Sequence, residues 1–98
     1  MVAFNVVRFR VKPGMDHEFL EAHRNGAAAW PGLTRGFIVS AGDRNYVLVG
    51  EWLDRAAIAG SRQKMIETLN TFRHTLEDLG SGAGLTDAVS GEVVLALT

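Results

Sequence analysis

The sequence predicts an α+β domain of the ferredoxin-like type, a four-stranded antiparallel sheet with two helices on one face. Three observations predict it. The segments follow the order strand–helix–strand–strand–helix–strand across the 98 residues. At the centre, Tyr46-Val47-Leu48-Val49-Gly50-Glu51-Trp52-Leu53-Asp54 reads as an apolar strand that ends on Glu-Trp and passes to an Asp suited to start a helix. Finally, both alternating sets of residues on the strands carry apolar side chains, and two helices on one face cover only one of those sets.

The elements follow in order. Residues 2–11 are rich in Val and Phe and form the first strand, ended by Lys12-Pro13-Gly14. Asn5, Val7, Phe9 and Val11 fall on one face; Phe4, Val6, Arg8 and Arg10 fall on the other. The first helix is expected over 15–29. Asp16 and Glu18 sit at its positive end, and Met15, Phe19, Ala22, His23, Gly26 and Trp30 recur at helical spacing. Trp30-Pro31-Gly32 stops it. Strands over 33–41 and 46–53 form a hairpin through Gly42-Asp43-Arg44-Asn45. The second helix is expected from Arg55 to Leu79, disturbed near Gly60-Ser61, with Met65, Leu69, Phe72, Leu76 and Leu79 as its buried stripe and Gly80 as its left-handed cap. A Gly-rich loop over 81–91 then leads to a fourth strand over 92–98.

The bulk composition narrows the function classes. One domain over residues 1–98 is expected, with 47% hydrophobic residues and a mixed-sign net charge of -1. Nothing in that balance points to a nucleic-acid or membrane partner. With no Cys there is no disulfide, thiolate ligand or Cys nucleophile. No apolar stretch approaches the length of a membrane span. The start lacks a basic region followed by an apolar one, so a cytoplasmic protein, mature from Met1, is expected. The uncovered second face of the sheet predicts a homodimer packed sheet to sheet, with Arg8 and Glu51 as a candidate pair inside that interface.

On these residues the chain resembles the antibiotic-biosynthesis monooxygenase family of dimeric α+β barrels. The matching stretches are Val7-Arg8-Phe9-Arg10-Val11-Lys12-Pro13-Gly14, Trp30-Pro31-Gly32, and Val47-Leu48-Val49-Gly50-Glu51-Trp52-Leu53-Asp54-Arg55-Ala56-Ala57. The resemblance implies a ligand cleft between sheet and helices, with an Asn on the first strand and a Trp ending the third, here Asn5 and Trp52. Heme-degrading relatives also carry an axial His about three turns past the Trp. Arg62, Gln63 and Lys64 occupy that neighbourhood here and His74 lies too far along, which argues against heme chemistry.

Geometry gives the same pair independently. The first and third strands are antiparallel neighbours in this topology, so the start of one lies beside the end of the other. An amide and an indole N–H then converge where a phenolate, enolate or peroxide oxygen could sit. The alternative is a strand-edge Asn bonded to backbone and a core Trp. His23 falls on the inner stripe of its helix and is the candidate base; otherwise it is a core His bonded to a carbonyl. Asn5, His23 and Trp52 are the candidate catalytic residues, and Phe9, Phe19, Trp30, Tyr46 and Phe72 the candidate substrate-binding ones. Tyr46 also reads as structural. Arg62 and Arg73 either reach an anionic ligand or are solvated surface. His17 reads as solvated, and His74 as a surface partner of Asp78. The three His are not at metal spacing. Gly80-Ser81-Gly82-Ala83-Gly84 follows a helix, whereas a phosphate loop follows a strand.

Two functions from different classes fit. One is a cofactor-independent monooxygenase that oxidises a small polycyclic phenol, hydroquinone or anthrone with O2, needing no metal and no cofactor because the substrate supplies the electrons. The other is a non-catalytic dimeric domain that binds a small hydrophobic ligand or a protein partner. Whether His23 and Trp52 line one cavity separates them.

Overall fold

The computed structural model describes residues 1–80, 82 and 84–98. Its elements are β1 (Ala3–Val11), α1 (Asp16–Gly26), β2 (Leu33–Gly42), β3 (Asn45–Trp52), α2 (Arg55–Gly60), α3 (Arg62–Phe72), β4 (Leu76–Glu77) and β5 (Asp87–Glu92), with single turns of 3-10 helix after α1 and α3. The expected α+β order is present, with an antiparallel sheet and helices on one face.

β1 lies at the centre of the sheet. It pairs with β3 along one edge, Ala3 opposite Trp52 and Asn5 opposite Gly50. Its other edge is shared. β5 covers it from Ala3 to Arg8, and the two-residue β4 covers Arg10 and Val11. β2 closes the sheet outside β3. The odd-numbered residues of β1 face the helices, where Phe9, Val11, Phe19, Trp30, Leu48, Trp52, Phe72 and Leu76 form the buried core.

The β2–β3 turn places Asp43 and Arg44 at positive φ, 49° and 63°, the backbone a tight two-residue hairpin demands. Two non-glycine residues in that region carry strain. Contacts of Arg44 offset it: its guanidinium donates to the Val11 carbonyl at 2.7 Å and pairs with Glu77. Asn45 secures the turn by donating to the Gly42 carbonyl.

Two element boundaries differ from expectation. The second helix is two helices that end at Phe72. Asp54 caps α2 through a 2.8 Å bond from the Ala57 N–H, and the break comes at Ser61, whose hydroxyl donates to the Pro31 carbonyl at 2.8 Å. Past Phe72, the buried Thr75 hydroxyl bonds the Phe72 carbonyl and the Lys12 N–H bonds the Thr75 carbonyl, drawing the chain onto the end of β1. Leu76 is therefore the inward residue of a short strand. An apolar residue four positions after Phe72 satisfies the helical pattern equally well.

The last strand lies at Asp87–Glu92, inside the expected loop, while residues 93–98 form no strand. Ala88 and Ser90 face the helices opposite Val7 and Asn5. They border a cavity where the other strands border core, so this strand lacks the apolar signal. Val94, Leu95 and Leu97 carry that signal and stand exposed. Ser81 and Ala83 of the Gly-rich run lie outside the described residues. None of the described helices is long and apolar enough to cross a membrane.

Candidate functional site

A cavity of about 580 Å³ opens between β1, β5 and the helices. Its wall takes Asn5, Val7 and Phe9 from β1, Leu48 from β3, His23 from α1 and Phe72 from α3.

Asn5 is its best-defined polar group. The Trp52 indole N–H donates to Asn5 Oδ1 at 2.8 Å. An indole nitrogen is a donor only, so the amide orientation follows: Oδ1 faces the Trp and the NH2 faces away. That NH2 meets the Met65 sulfur at 3.8 Å, a weak acceptor. Its donors therefore remain available to a ligand. The expected convergence of Asn5 and Trp52 is present, but it does not offer two donors side by side. Trp52 is fully buried, does not line the cavity, and spends its N–H on Asn5. It holds the amide, and Asn5 faces the cavity.

Gly50 makes that bond possible. It lies opposite Asn5 in the strand pairing. A Cβ there would stand 2.4 Å from Asn5 Oδ1 and 2.9 Å from Trp52 Nε1, too close for any side chain. An isolated glycine inside an apolar strand was the sequence signal for this close approach. Behind the pair, Trp52 stacks on Trp30 with centroids 6.3 Å apart, and the Trp30 N–H donates to Thr68 at 3.1 Å.

His23 is buried in an aromatic cage of Phe9, Phe19 and Phe72, with ring centroids 5.5, 4.7 and 4.3 Å away. Its Nδ1 lies 3.1 Å from the Phe19 carbonyl. A carbonyl only accepts, so Nδ1 carries the proton and Nε2 is the free lone pair. Burial lowers the His23 pKa below its ordinary 6.5, and the bond to Phe19 opposes this less strongly. The ring is thus neutral near neutrality. His23 lines the cavity with Asn5 but not with Trp52, so the separating test of His23 and Trp52 in one cavity is not met as stated; the amide that Trp52 holds stands in the wall in its place.

The other sequence candidates divide. Phe9, Trp30 and Phe72 line the cavity; Phe19 and Tyr46 do not. Phe19 is fully buried beneath Phe9 and His23. The Tyr46 hydroxyl donates to Asp16 at 2.5 Å, and that carboxylate raises its pKa. Phe19 sits beneath the cavity wall, whereas Tyr46 is half-buried at the start of β3, tied to the start of α1 through Asp16. Arg62 lines the cavity, whereas Arg73 bonds Asn70 at the surface. His17 is exposed. His74 pairs with Glu18 of α1, since the helix that would have set it beside Asp78 has already ended. Arg8 pairs with Asp87 at 2.8 Å and Glu51 accepts from Thr34 at 2.7 Å, so neither waits unpaired for the other. Ala88 and Ser90 of the wall were not singled out from sequence, and Met65 and Arg55 were read there only as helix stripe and helix start. Among the described residues no group of three or more His, Asp or Glu is placed to hold a metal ion.

No family model matches the chain, and no curated protein does. Solved structures match over nearly its whole length. SnoaB, a cofactor-independent oxygenase from Streptomyces nogalater, superposes with a TM-score of 0.72 at 20% identity, covering 98% of this chain and 96% of its own, and a single-site variant of it gives 0.76 at 18%. A protein of Chloroflexus aurantiacus provisionally named an antibiotic biosynthesis monooxygenase gives 0.75 at 13% identity, covering 98% and 96%. One of the same provisional name from Nitrosomonas europaea gives 0.74 at 20%, covering 95% and 90%. The topology, the coverage and these scores agree: the chain has the fold of the antibiotic biosynthesis monooxygenases that its sequence resembles.

Proposed function

We propose that the protein is a cofactor-independent oxygenase acting on a small polycyclic phenol, hydroquinone or anthrone. The observation that carries this reading is the shared cavity: an aromatic-walled space that holds a clamped amide donor, Asn5, and a neutral imidazole, His23, with a free Nε2. The likeness to SnoaB supports the reaction class. In this scheme His23 Nε2 takes a proton from the acidic C–H or O–H of the substrate. The Asn5 NH2 holds the resulting oxyanion. The electron-rich anion gives one electron to O2, and the substrate radical and superoxide combine at carbon. Protonation yields a hydroperoxide. Loss of water across its C–H and O–O bonds leaves a new carbonyl. An anthrone thus consumes one O2 and yields one quinone and one water. The protein's part is to orient the substrate, take the proton and stabilise the charge.

The scheme includes a homodimer through the open sheet face. Phe37, Val39 and Val89 are 50%, 48% and 67% exposed there, and Val6, Val47 and Val49 lie beside them. Arg10 Nε on the same face is buried with no hydrogen-bond partner among the described residues. A second copy would cover the apolar strip and supply an acceptor.

Oxygen uptake against a panel of anthrones and hydroquinones tests the reaction. Uptake of one O2 per quinone formed, lost in Asn5→Ala and His23→Ala, is expected. Tight binding of the same compounds with no uptake above the spontaneous rate would instead make the protein a binding domain.

A further inference from the structure

We propose that the cavity selects ligands bearing a carboxylate, held at its lip by Arg62 with Arg55 beside it. This rests on the cavity's being the ligand site and specifies what enters it. Among the described residues the charged side chains in the wall are Arg55 and Arg62, and no carboxylate lines it. The chain as a whole carries a net charge of -1, so this is a positive locus on a mildly acidic protein.

Arg62 has nothing to hold among the described residues, a state it shares with Arg10 and Arg35 away from the cavity. Arg8, Arg24 and Arg44 each pair with a carboxylate of this chain. Arg55 lies 3.9 Å from Glu92, beyond hydrogen-bond reach and across exposed groups. Arg62 has neither an ion pair nor a side-chain hydrogen bond among the described residues. Its side chain is exposed, and the backbone before it is anchored. Arg62 opens α3 immediately after Ser61, which is fully buried and tied to Pro31. α3 has no acidic residue in its first turn and no side-chain cap, so the positive end of its dipole adds to the guanidinium charge.

The remainder of the wall describes the rest of the ligand. Val7, Phe9, Leu48, Leu69 and Phe72 suit a flat apolar body. One unpaired guanidinium beside such a wall matches a planar carboxylate, which it can grip with two parallel N–H donors. The predicted class is therefore a polycyclic aromatic acid, ionised at neutral pH, with its acid group toward α2 and α3.

The probes are anthracene-2-carboxylate and its neutral carboxamide, titrated against the full chain by calorimetry at low and moderate salt. The carboxylate should bind about ten-fold more tightly, and the margin should shrink as salt screens the exposed pair. Arg62→Gln should remove the preference by weakening the carboxylate far more than the carboxamide, whose neutral carbonyl loses only an uncharged acceptor's contact. Arg62→Lys should keep part of it, and Arg55→Gln should reduce it less than Arg62→Gln. Equal binding of both probes, or a preference that survives Arg62→Gln, overturns the proposal while leaving the cavity as a ligand site. Carboxamide binding that is lost in Arg62→Gln would assign the arginine to structure and overturn it too. Failure of both probes to bind would remove the ligand-site reading and this proposal with it. The readout is binding, so it stands apart from any failure of oxygen uptake.

Discussion

At the scale of single residues, the site is a chain of dependence from Gly50 to Trp52 to Asn5. Adding a methyl in Gly50→Ala places a Cβ inside the Asn5–Trp52 bond. The expected outcome is a protein that folds but is destabilised by about 1–3 kcal/mol, the usual cost of overpacking a fitted site. Denaturant melts measure it, and ligand affinity should fall with it. Trp52→Phe keeps most of the ring volume and removes the N–H. Asn5 Oδ1 then loses its fixed donor and the amide is free to turn over. If Trp52 acts as a positioning residue, this variant should lower kcat by roughly ten-fold or more and Asn5→Ala should do so at least as strongly. The double variant should be no worse than Asn5→Ala alone, because both changes cancel the same donor. Additive losses would assign Trp52 a role of its own.

His23 gives the pH dependence its sign. Its folded pKa lies below the 6.5 of the unfolded chain because burial disfavours the charged ring. Between the two values the unfolded state binds the extra proton. Stability is fully present above about 6.5 and is lost as pH falls through the folded pKa, by at most about 1.4 kcal/mol per pH unit for one proton. Urea melts of the protein and of His23→Gln across acidic pH should differ by this slope. If His23 is the base, kcat/KM should lose activity on the acid side with an inflection below 6.5, and His23→Gln should remove that limb.

At the scale of elements, the site depends on how closely α1 and α3 approach. Gly26 ends α1 against Thr68 of α3, and a Cβ there would meet the Thr68 methyl at 2.4 Å. Thr68 also accepts the Trp30 N–H, and Trp30 backs Trp52. Gly26→Ala should therefore loosen the wall as well as the helix pair. A loss of about 1–3 kcal/mol is expected despite the better helix propensity of Ala. A shift in the fluorescence of the stacked Trp pair should accompany it. A more stable protein would show that the helices have room to separate.

At the scale of the whole molecule, the open sheet face is the surface on which the proposed dimer depends. A charge introduced by Val49→Asp or Val6→Asp should leave the monomer fold intact, since these residues point away from its core. It should dissociate a dimer, because an unpaired charge in a dry interface costs several kcal/mol. Light scattering at micromolar concentration measures the mass. A monomer mass for the unmodified protein would end the dimer reading.

The sequence by itself determined the fold class, because period-two and period-3.6 apolar patterns with Pro-Gly and Asp stops reveal strands and helices wherever one face is buried in core. It also determined that Asn5 and Trp52 meet, since antiparallel pairing of the first and third strands follows from topology. Only the tertiary structure decided which of that pair faces the cavity, because donor and acceptor roles depend on a 2.8 Å contact made possible by Gly50. It decided that Phe19 and Tyr46 stay off the wall, Phe19 fully buried beneath it and Tyr46 held at the start of β3 by Asp16, since helical and strand periodicity identify the inner face but not the depth or the position along it. It placed the last strand at Asp87–Glu92, where a cavity-facing Ala and Ser carry no apolar signal. And it separated Arg62 from Arg73, two arginines alike on a sequence stripe, by setting one on a cavity lip and the other beside Asn70.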